Sequence, residues 1–264
     1  MTAPAIRWTN FAAPRAGVGY WWASFRNMLD WEVASLRLDL PIVAAIQVIS
    51  SAGFVLMMSL LVPGDLPASA AAYLAGGIAV VNLYMLGLIF GPQWIAEQRV
   101  EETYDSMRSL PVPRSAATVA WWMVSLLVGV PAVLVTILVA ALRYHVDFSV
   151  SLTIVPAVLL VSFTATMIGE ALGHGIANPM LVRVSTQALN IFVVGFCAVV
   201  FPVDRLPDWL QAVNQVLPFM HMSTIMRAAL TTEPVSDLAF AYSVVIFWAA
   251  LCALVAARAQ SRRG

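Results

Sequence analysis

One acidic side chain interrupts an apolar stretch in the second half of the chain. Glu170 lies in the sequence GEALGHG, and His174 follows it by four residues, so a helix places both on one face. If the helix ends near Asn178, Glu170 lies about 12 Å into a membrane, where a charge costs several kcal/mol unless it is paired. We predict a polar element of a substrate path or gate; a hydrogen-bonded packing pair is the alternative.

A second group of ionisable residues lies between two apolar halves of the chain. The run EQRVEETYDSMRSLPVPR extends from Glu97 to Arg114 and ends in two prolines that stop a helix. Spacings of four, four and three residues place four of its charged side chains on one helical face. They are Glu97, Glu101, Asp105 and Arg108. The pattern indicates a short polar helix that another subunit can push, or else a solvated loop.

Composition places the chain in a membrane and excludes several chemistries. It has 264 residues, 61% of them hydrophobic and 11% charged, against roughly 25% charged residues in soluble domains. The net charge is zero, so no nucleic-acid partner is indicated. No lysine is present, which excludes a P-loop and a Schiff base. Cysteine spacing and the absence of catalytic motifs predict neither a metal, a cofactor nor an enzyme.

Six apolar segments are long enough to cross a bilayer as helices, which takes about 20 residues. They comprise residues 41–62, 70–96, 116–142, 151–177, 185–201 and 238–257. We therefore predict an all-α integral membrane protein, with a tail and an interfacial helix in residues 1–40 and a six-span domain in residues 41–264. Eleven of the 14 arginines fall on one side of these spans. The positive-inside rule then predicts a multi-pass protein of the cell membrane with both termini cytoplasmic.

The segment before the first span has the pattern of an amphipathic helix. On a helical wheel its apolar arc holds Trp22, Phe25 and Leu29, and an adjacent arc holds Arg26. Tryptophans suit the headgroup boundary, so we predict an interfacial helix over residues 20–40, with a helix packed on protein as the alternative. Glu32 falls on the apolar arc and does not fit the pattern.

The connection before the sixth span, residues 202–237, resembles two short helices more than a loop. Pro218 separates apolar stretches near residues 207–216 and 219–230, each too short to span a membrane. We predict a re-entrant hairpin, with an exposed outer hairpin as the alternative. Phe219 and His221 in its second helix are candidates for the substrate path or gate. For Arg227 we expect snorkelling to the headgroups.

These features together resemble the permease subunits of type-2 ABC exporters. The most specific stretches are TYDSM followed by PVPR, similar to that family's coupling helix, and FPVDRLP with LPFMHMSTIMR, similar to its outer hairpin. They look closest to nodulation lipo-oligosaccharide exporters and daunorubicin-resistance drug exporters. Many members carry Gly before the threonine, where this chain has Glu102.

The resemblance implies that two permeases, identical or homologous, pair in the lipid and contact two separate ABC ATPase subunits. ATP and Mg²⁺ would bind those subunits, and an amphiphile such as a drug, antibiotic, lipid or glycolipid would move outward. It assigns ATPase coupling to Glu97, Arg99, Glu101, Thr103, Tyr104, Asp105 and Arg108. The alternative function is a proton-coupled secondary transporter that uses Glu170 and His174 as its relay.

Overall fold

The computed structural model describes residues 17–61, 68–101, 111–146, 148–231 and 237–262. Helices account for almost all of this part of the chain, and it contains no strand. The helices are α1 (Val18–Ser35), α2 (Asp39–Leu61), α3 (Ala68–Tyr84), α4 (Gly91–Val100), α5 (Arg114–Tyr144), α6 (Ile154–Gly175), α7 (Pro179–Phe196), α8 (Asp208–Val216), α9 (Pro218–Leu230) and α10 (Leu238–Arg262). A π-helical segment, Met85–Phe90, joins α3 to α4. The predicted all-α class is confirmed.

Six helices among the described residues are long and apolar enough to cross a membrane. They are Asp39–Leu60, Ala70–Val100, Arg114–Tyr144, Ile154–Gly175, Pro179–Phe196 and Leu238–Ser261. The fifth differs most from the sequence-based boundaries of 185–201. It begins early because the Asn178 side chain accepts a hydrogen bond from the Met180 amide at its N-terminus, and Pro179 occupies the first turn. It ends at Phe196 because Cys197 has an extended backbone.

The second and fourth spans approach each other closely through glycine. A methyl group on Gly169 of α6 would meet the Gly87 carbonyl oxygen at 2.0 Å, and one on Gly87 would meet backbone atoms of Thr166. One turn further on, a methyl on Gly173 would lie 3.1 Å from the Pro92 Cα. The small-xxx-small spacing of these glycines therefore marks a true helix crossing. It falls at the π-helical segment, where Gly87 belongs to the widened turn.

The short helices α8 and α9 are attached to the bundle by buried polar contacts. The Asn214 side chain accepts a hydrogen bond from the Ala198 amide and donates to the Phe196 carbonyl. The Arg227 guanidinium donates to the carbonyls of Val199 and Tyr73, and it lies over the Tyr73 ring. Arg227 is only 9% exposed. The expectation that Arg227 snorkels to headgroups is therefore wrong, because backbone carbonyls of α3 and of the segment after the fifth span bind its guanidinium inside the protein.

Helix α1 packs on protein along a face rotated from the predicted one. The buried residues of α1 include Phe25 and Met28, which pack against Ala116 and Ala120 of α5. The Trp21 indole donates a hydrogen bond to the Ser115 hydroxyl at 2.9 Å. The four residues predicted for the interfacial helix differ in their exposure, and their contact with a membrane stays a prediction. Trp22 is 55% exposed, Leu29 is half-buried and Arg26 is exposed, and only Phe25 is fully buried.

Gly169→Ala tests the close crossing. The added methyl has no room beside the Gly87 carbonyl, so we expect a loss of roughly 1–3 kcal/mol or more of stability. The measurement is the thermal unfolding midpoint of the purified chain in detergent, together with its yield in the membrane. Gly53→Ala is the matched control, because nothing lies within 4 Å of its added methyl. Equal midpoints for the two variants would show that the helices do not meet there.

Candidate functional site

Glu170 and His174 contact each other on α6, as their spacing predicts. The His174 Nε2 and Glu170 Oε2 atoms are 3.0 Å apart, and both side chains are largely buried. The Gln260 amide of α10 donates a second hydrogen bond to the same carboxylate oxygen at 3.3 Å. Because α6 ends at Gly175 rather than near Asn178, Glu170 lies only about 7 to 8 Å from the helix end.

A second carboxylate reaches this pair from α1. Glu32 is 6% exposed and lies on the same face of α1 as Phe25 and Met28. It is near enough to Glu170 for the two charges to repel each other. Sequence reasoning did not assign Glu32 to the site. The sequence signal that could identify Glu32 is its position on the apolar arc of α1. An acid on an apolar arc can be a buried functional group as well as a mismatch to the amphipathic pattern.

The two acids line one cavity of about 150 Å³ at the end of the bundle where α4 and α6 finish and α5 begins. Five helices contribute to its wall: α1, α4, α5, α6 and α10. The lining residues are Met28, Glu32, Gly91, Trp94, Ile95, Gln98, Val112, Arg114, Ala117, Thr118, Trp121, Glu170, His174 and Gln260. The wall is thus mixed, with aromatic and aliphatic surface around a few polar groups, as small-molecule sites commonly are.

Three buried polar atoms in this wall lack a hydrogen-bond partner among the described residues. They are Glu32 Oε2, Trp94 Nε1 and Trp121 Nε1. The Trp94 indole lies close to the Glu32 carboxylate without reaching hydrogen-bond geometry. A buried polar atom without a partner costs about 1–3 kcal/mol, so each of the three favours an occupant of the cavity, either water or a ligand.

Burial changes the acidity of Glu32. Loss of hydration, followed by the nearby charge of Glu170, raises the pKa of its carboxyl from 4.5 to about 8. The carboxyl therefore holds its proton at neutral pH while the cavity contains no cation. An acid with this pKa changes charge within the physiological range, which an exposed glutamate does not do.

The residues assigned to ATPase coupling are only partly described. Glu97 and Arg99 lie in α4, the continuation of the second span, and not in a separate helix, because that helix runs on to Val100. Glu101 follows its last residue. Thr103, Tyr104, Asp105 and Arg108 lie outside the described residues. The described helix ends at Val100, so the helical face expected for Glu97, Glu101, Asp105 and Arg108 extends beyond the described residues and stays a prediction.

Two of the described charged residues tie the end of α4 to its neighbours. The Arg183 guanidinium of α7 pairs with the Glu97 carboxylate at 3.3 Å, with both side chains half exposed. The Arg99 guanidinium donates to the Ile176 carbonyl, just after α6. Exposed ion pairs stabilise by at most about 1 kcal/mol. The position of the two contacts matters more. The Arg183 pair joins α4 to α7, and the Arg99 hydrogen bond joins α4 to Ile176 just after α6.

Phe219 and His221 do not lie in the cavity with Glu170 and His174. Phe219 is buried and packs edge to face on Tyr84 with ring centroids 6.4 Å apart. The His221 Nε2 atom lies 2.9 Å from the Gln215 carbonyl, and its ring packs on Phe240. In this structure both side chains hold α9 in place, so the two halves of the predicted path or gate are not brought together. The described residues also contain no cluster of three or more metal-ligating side chains.

The fold and the site define a class of protein: a multi-pass helical membrane protein with a polar cavity at one end of its bundle. The family described as "ABC-2 family transporter protein" matches residues 41–258, which is most of the chain. The chain therefore belongs to the ABC-2 transporter family, as a membrane-embedded permease that is not itself catalytic. The sequence matched no curated protein.

Glu32→Gln tests the buried carboxyl. The folded state holds a proton on Glu32 that the unfolded chain releases above its ordinary pKa, so wild-type stability falls as pH rises from about 4.5 to about 8. The glutamine variant lacks this loss. We expect its unfolding midpoint to exceed that of the wild type by an amount that grows between about pH 5 and about pH 8.

The matched control is Asp30→Asn, which removes an exposed acid from the same helix. Its midpoint should follow that of the wild type at each pH. A constant difference between wild type and Glu32→Gln across this range would contradict the raised pKa of Glu32.

Proposed function

We propose that this chain is the transmembrane subunit of an ATP-driven exporter for amphiphiles. Two copies, or this chain and a homologous one, pair in the cell membrane with both termini in the cytoplasm. Two separate ABC ATPase subunits bind ATP and Mg²⁺ and dock on the charged inner end. Family membership supports association with ABC ATPases in general. The absence of lysine supports placing the phosphate loop on another chain.

The observation that carries the proposal is the way in which three helix ends converge beside the cavity. Through Arg183 and Arg99, the end of α4 is joined to α7 and to the end of α6. The next residues, 102–110, begin directly after α4 and contain the sequence resembling a coupling helix. A displacement imposed there is therefore passed to α4 and α6, the two helices that carry Trp94 and Glu170 into the cavity.

Helix α1 provides a second connection to the cavity. It packs on the beginning of α5 through the Trp21–Ser115 hydrogen bond and the cluster around Phe25. Its other polar contribution, Glu32, forms part of the cavity wall. An ATPase that moved α1 relative to α5 would therefore open or close the cavity on one side. Bistable packing of this kind converts a small displacement into a change of access.

The second candidate function, proton-coupled transport, is favoured by one observation. Glu32, with a pKa near 8, lies beside the Glu170–His174 pair, so the cavity can gain or lose a proton at neutral pH. The two functions differ in their energy source. ATP-driven export by vesicles holding the chain and its ATPase persists when the proton gradient is dissipated, whereas proton-coupled transport stops.

Charge reversal at the proposed docking segment tests the ATP-driven function. Glu101→Arg combined with Asp105→Arg should reduce both ATPase co-purification and permease-stimulated ATP hydrolysis by at least about tenfold, because two reversed charges in a docking contact should cost more than the roughly 1.4 kcal/mol that corresponds to tenfold. The control is Asp204→Arg with Asp208→Arg, two exposed acids at the other end of the molecule. If ATPase stimulation survived the first pair unchanged, the proposed docking segment would be wrong.

A further inference from the structure

We propose that the cavity between Glu32 and Glu170 binds the ammonium group of an organic amine. This inference rests on the proposed function, since it names the chemical class of the exported amphiphile. The ligand class follows from the polar atoms that face the cavity, from the charge of those atoms and from the cavity volume.

The carboxyl oxygens of Glu32 and Glu170 in the cavity favour a positively charged hydrogen-bond donor. Glu170 Oε2 is already oriented by His174 and Gln260, so its carboxylate is fixed in direction. Glu32 Oε2 is buried and lacks a partner among the described residues. An ammonium group supplies several N–H donors together with a charge that matches two carboxylates, and such charge-assisted hydrogen bonds are the stronger kind.

The charged groups around the cavity favour a cation over an anion. Glu32 comes from α1, and Glu170 and His174 come from α6. Helix α5 contributes Arg114, which is exposed at the rim, while α4 and α10 contribute the neutral Gln98 and Gln260. Among the described residues of the wall, the buried acids are thus Glu32 and Glu170, while Arg114 is exposed to solvent. An anion would have to lie beside the Glu170 carboxylate, which is unfavourable.

The other residues that line the cavity determine which organic group on the ammonium fits. Trp94 and Trp121 each present an indole N–H without a partner among the described residues, so an oxygen acceptor on the ligand fits there. Their rings also offer apolar and cation-attracting surface. A cavity of about 150 Å³ is close to the size that admits benzene in a small soluble protein. The ligand is therefore an amine on a ring-sized group, with a hydroxyl or ether oxygen nearby.

Binding of a cation is linked to release of a proton. The Glu32 carboxyl holds its proton while the cavity is empty, because burial raises its pKa to about 8. An ammonium group beside it favours the ionised carboxylate, so the proton leaves when the amine binds. Affinity then rises with pH over the range in which the amine itself stays charged.

Calorimetric titration of the full chain in nanodiscs tests the inference, with empty nanodiscs as the blank. The probes are benzylammonium and the neutral compound of similar shape, benzyl alcohol. We expect benzylammonium to bind at least about tenfold more tightly at about pH 8 than at about pH 6, with release of up to one proton into the buffer, more at about pH 6 than at about pH 8. Benzyl alcohol should bind weakly and without this pH dependence.

Three variants complete the test. Glu32→Gln and Glu170→Gln should each weaken benzylammonium binding about tenfold or more, and Glu32→Gln should also remove the proton release. Asp30→Asn, an exposed acid on the same helix, should leave both unchanged. Unfolding midpoints confirm that each variant is folded.

Absence of benzylammonium binding, equal binding of the two probes, or the same pH dependence in Glu32→Gln would overturn the inference. The last outcome would assign the titration to His174 instead. Because the titration uses the permease without any ATPase, its result is independent of ATP coupling. A permease that couples to its ATPase but does not bind the amine would refute this inference alone.

Discussion

Close contact between two backbones, at Gly87 and Gly169, is the constraint on which the rest of the structure depends. A side chain at either position would collide with the opposite helix. The π-helical segment places the Gly87 carbonyl at the contact, and α6 crosses the second span there. Glu170 follows Gly169 directly, so the crossing that brings the helices together also carries a carboxylate into the bundle. The position of the candidate site is a consequence of helix packing.

The cavity with the unpartnered polar atoms of the described residues lies close to the same crossing. Below Gly169, the α6 helix contacts α4 through Gly173, and Gly91 lets the Trp121 indole approach α4. Gly91 forms part of the cavity wall, and the large side chains of Trp94 and Trp121 line the open space rather than filling it. Helix α1 covers this space with Glu32. A covering helix with an ionisable residue on its buried face is well suited to respond to a ligand, a proton or a docking subunit.

Sequence patterns predicted much of the fold because apolar length and helical periodicity are local properties. The six spans, the division of the fifth connection at Pro218 and the contact between Glu170 and His174 all depend on residues near in sequence. The predictions were wrong where contacts with residues distant in the sequence determine the environment of a side chain. Helix α1 packs on the start of α5, more than 80 residues further along the chain, through Phe25, Met28 and Trp21, and in that packing Trp22 is exposed and Glu32 is buried. Arg227 likewise binds carbonyls that no local pattern identifies.

A double-mutant cycle between Glu32 and Glu170 is the most direct test of the central claim that α1 and α6 meet in one cavity. Glu32→Gln, Glu170→Gln and the double variant would be compared with wild type by unfolding free energy at about pH 8, where Glu32 is partly ionised. The account predicts a coupling free energy of about 0.5–3 kcal/mol between the two positions. Additivity within about 0.3–0.5 kcal/mol would contradict it, because carboxyl groups that share a cavity cannot be independent.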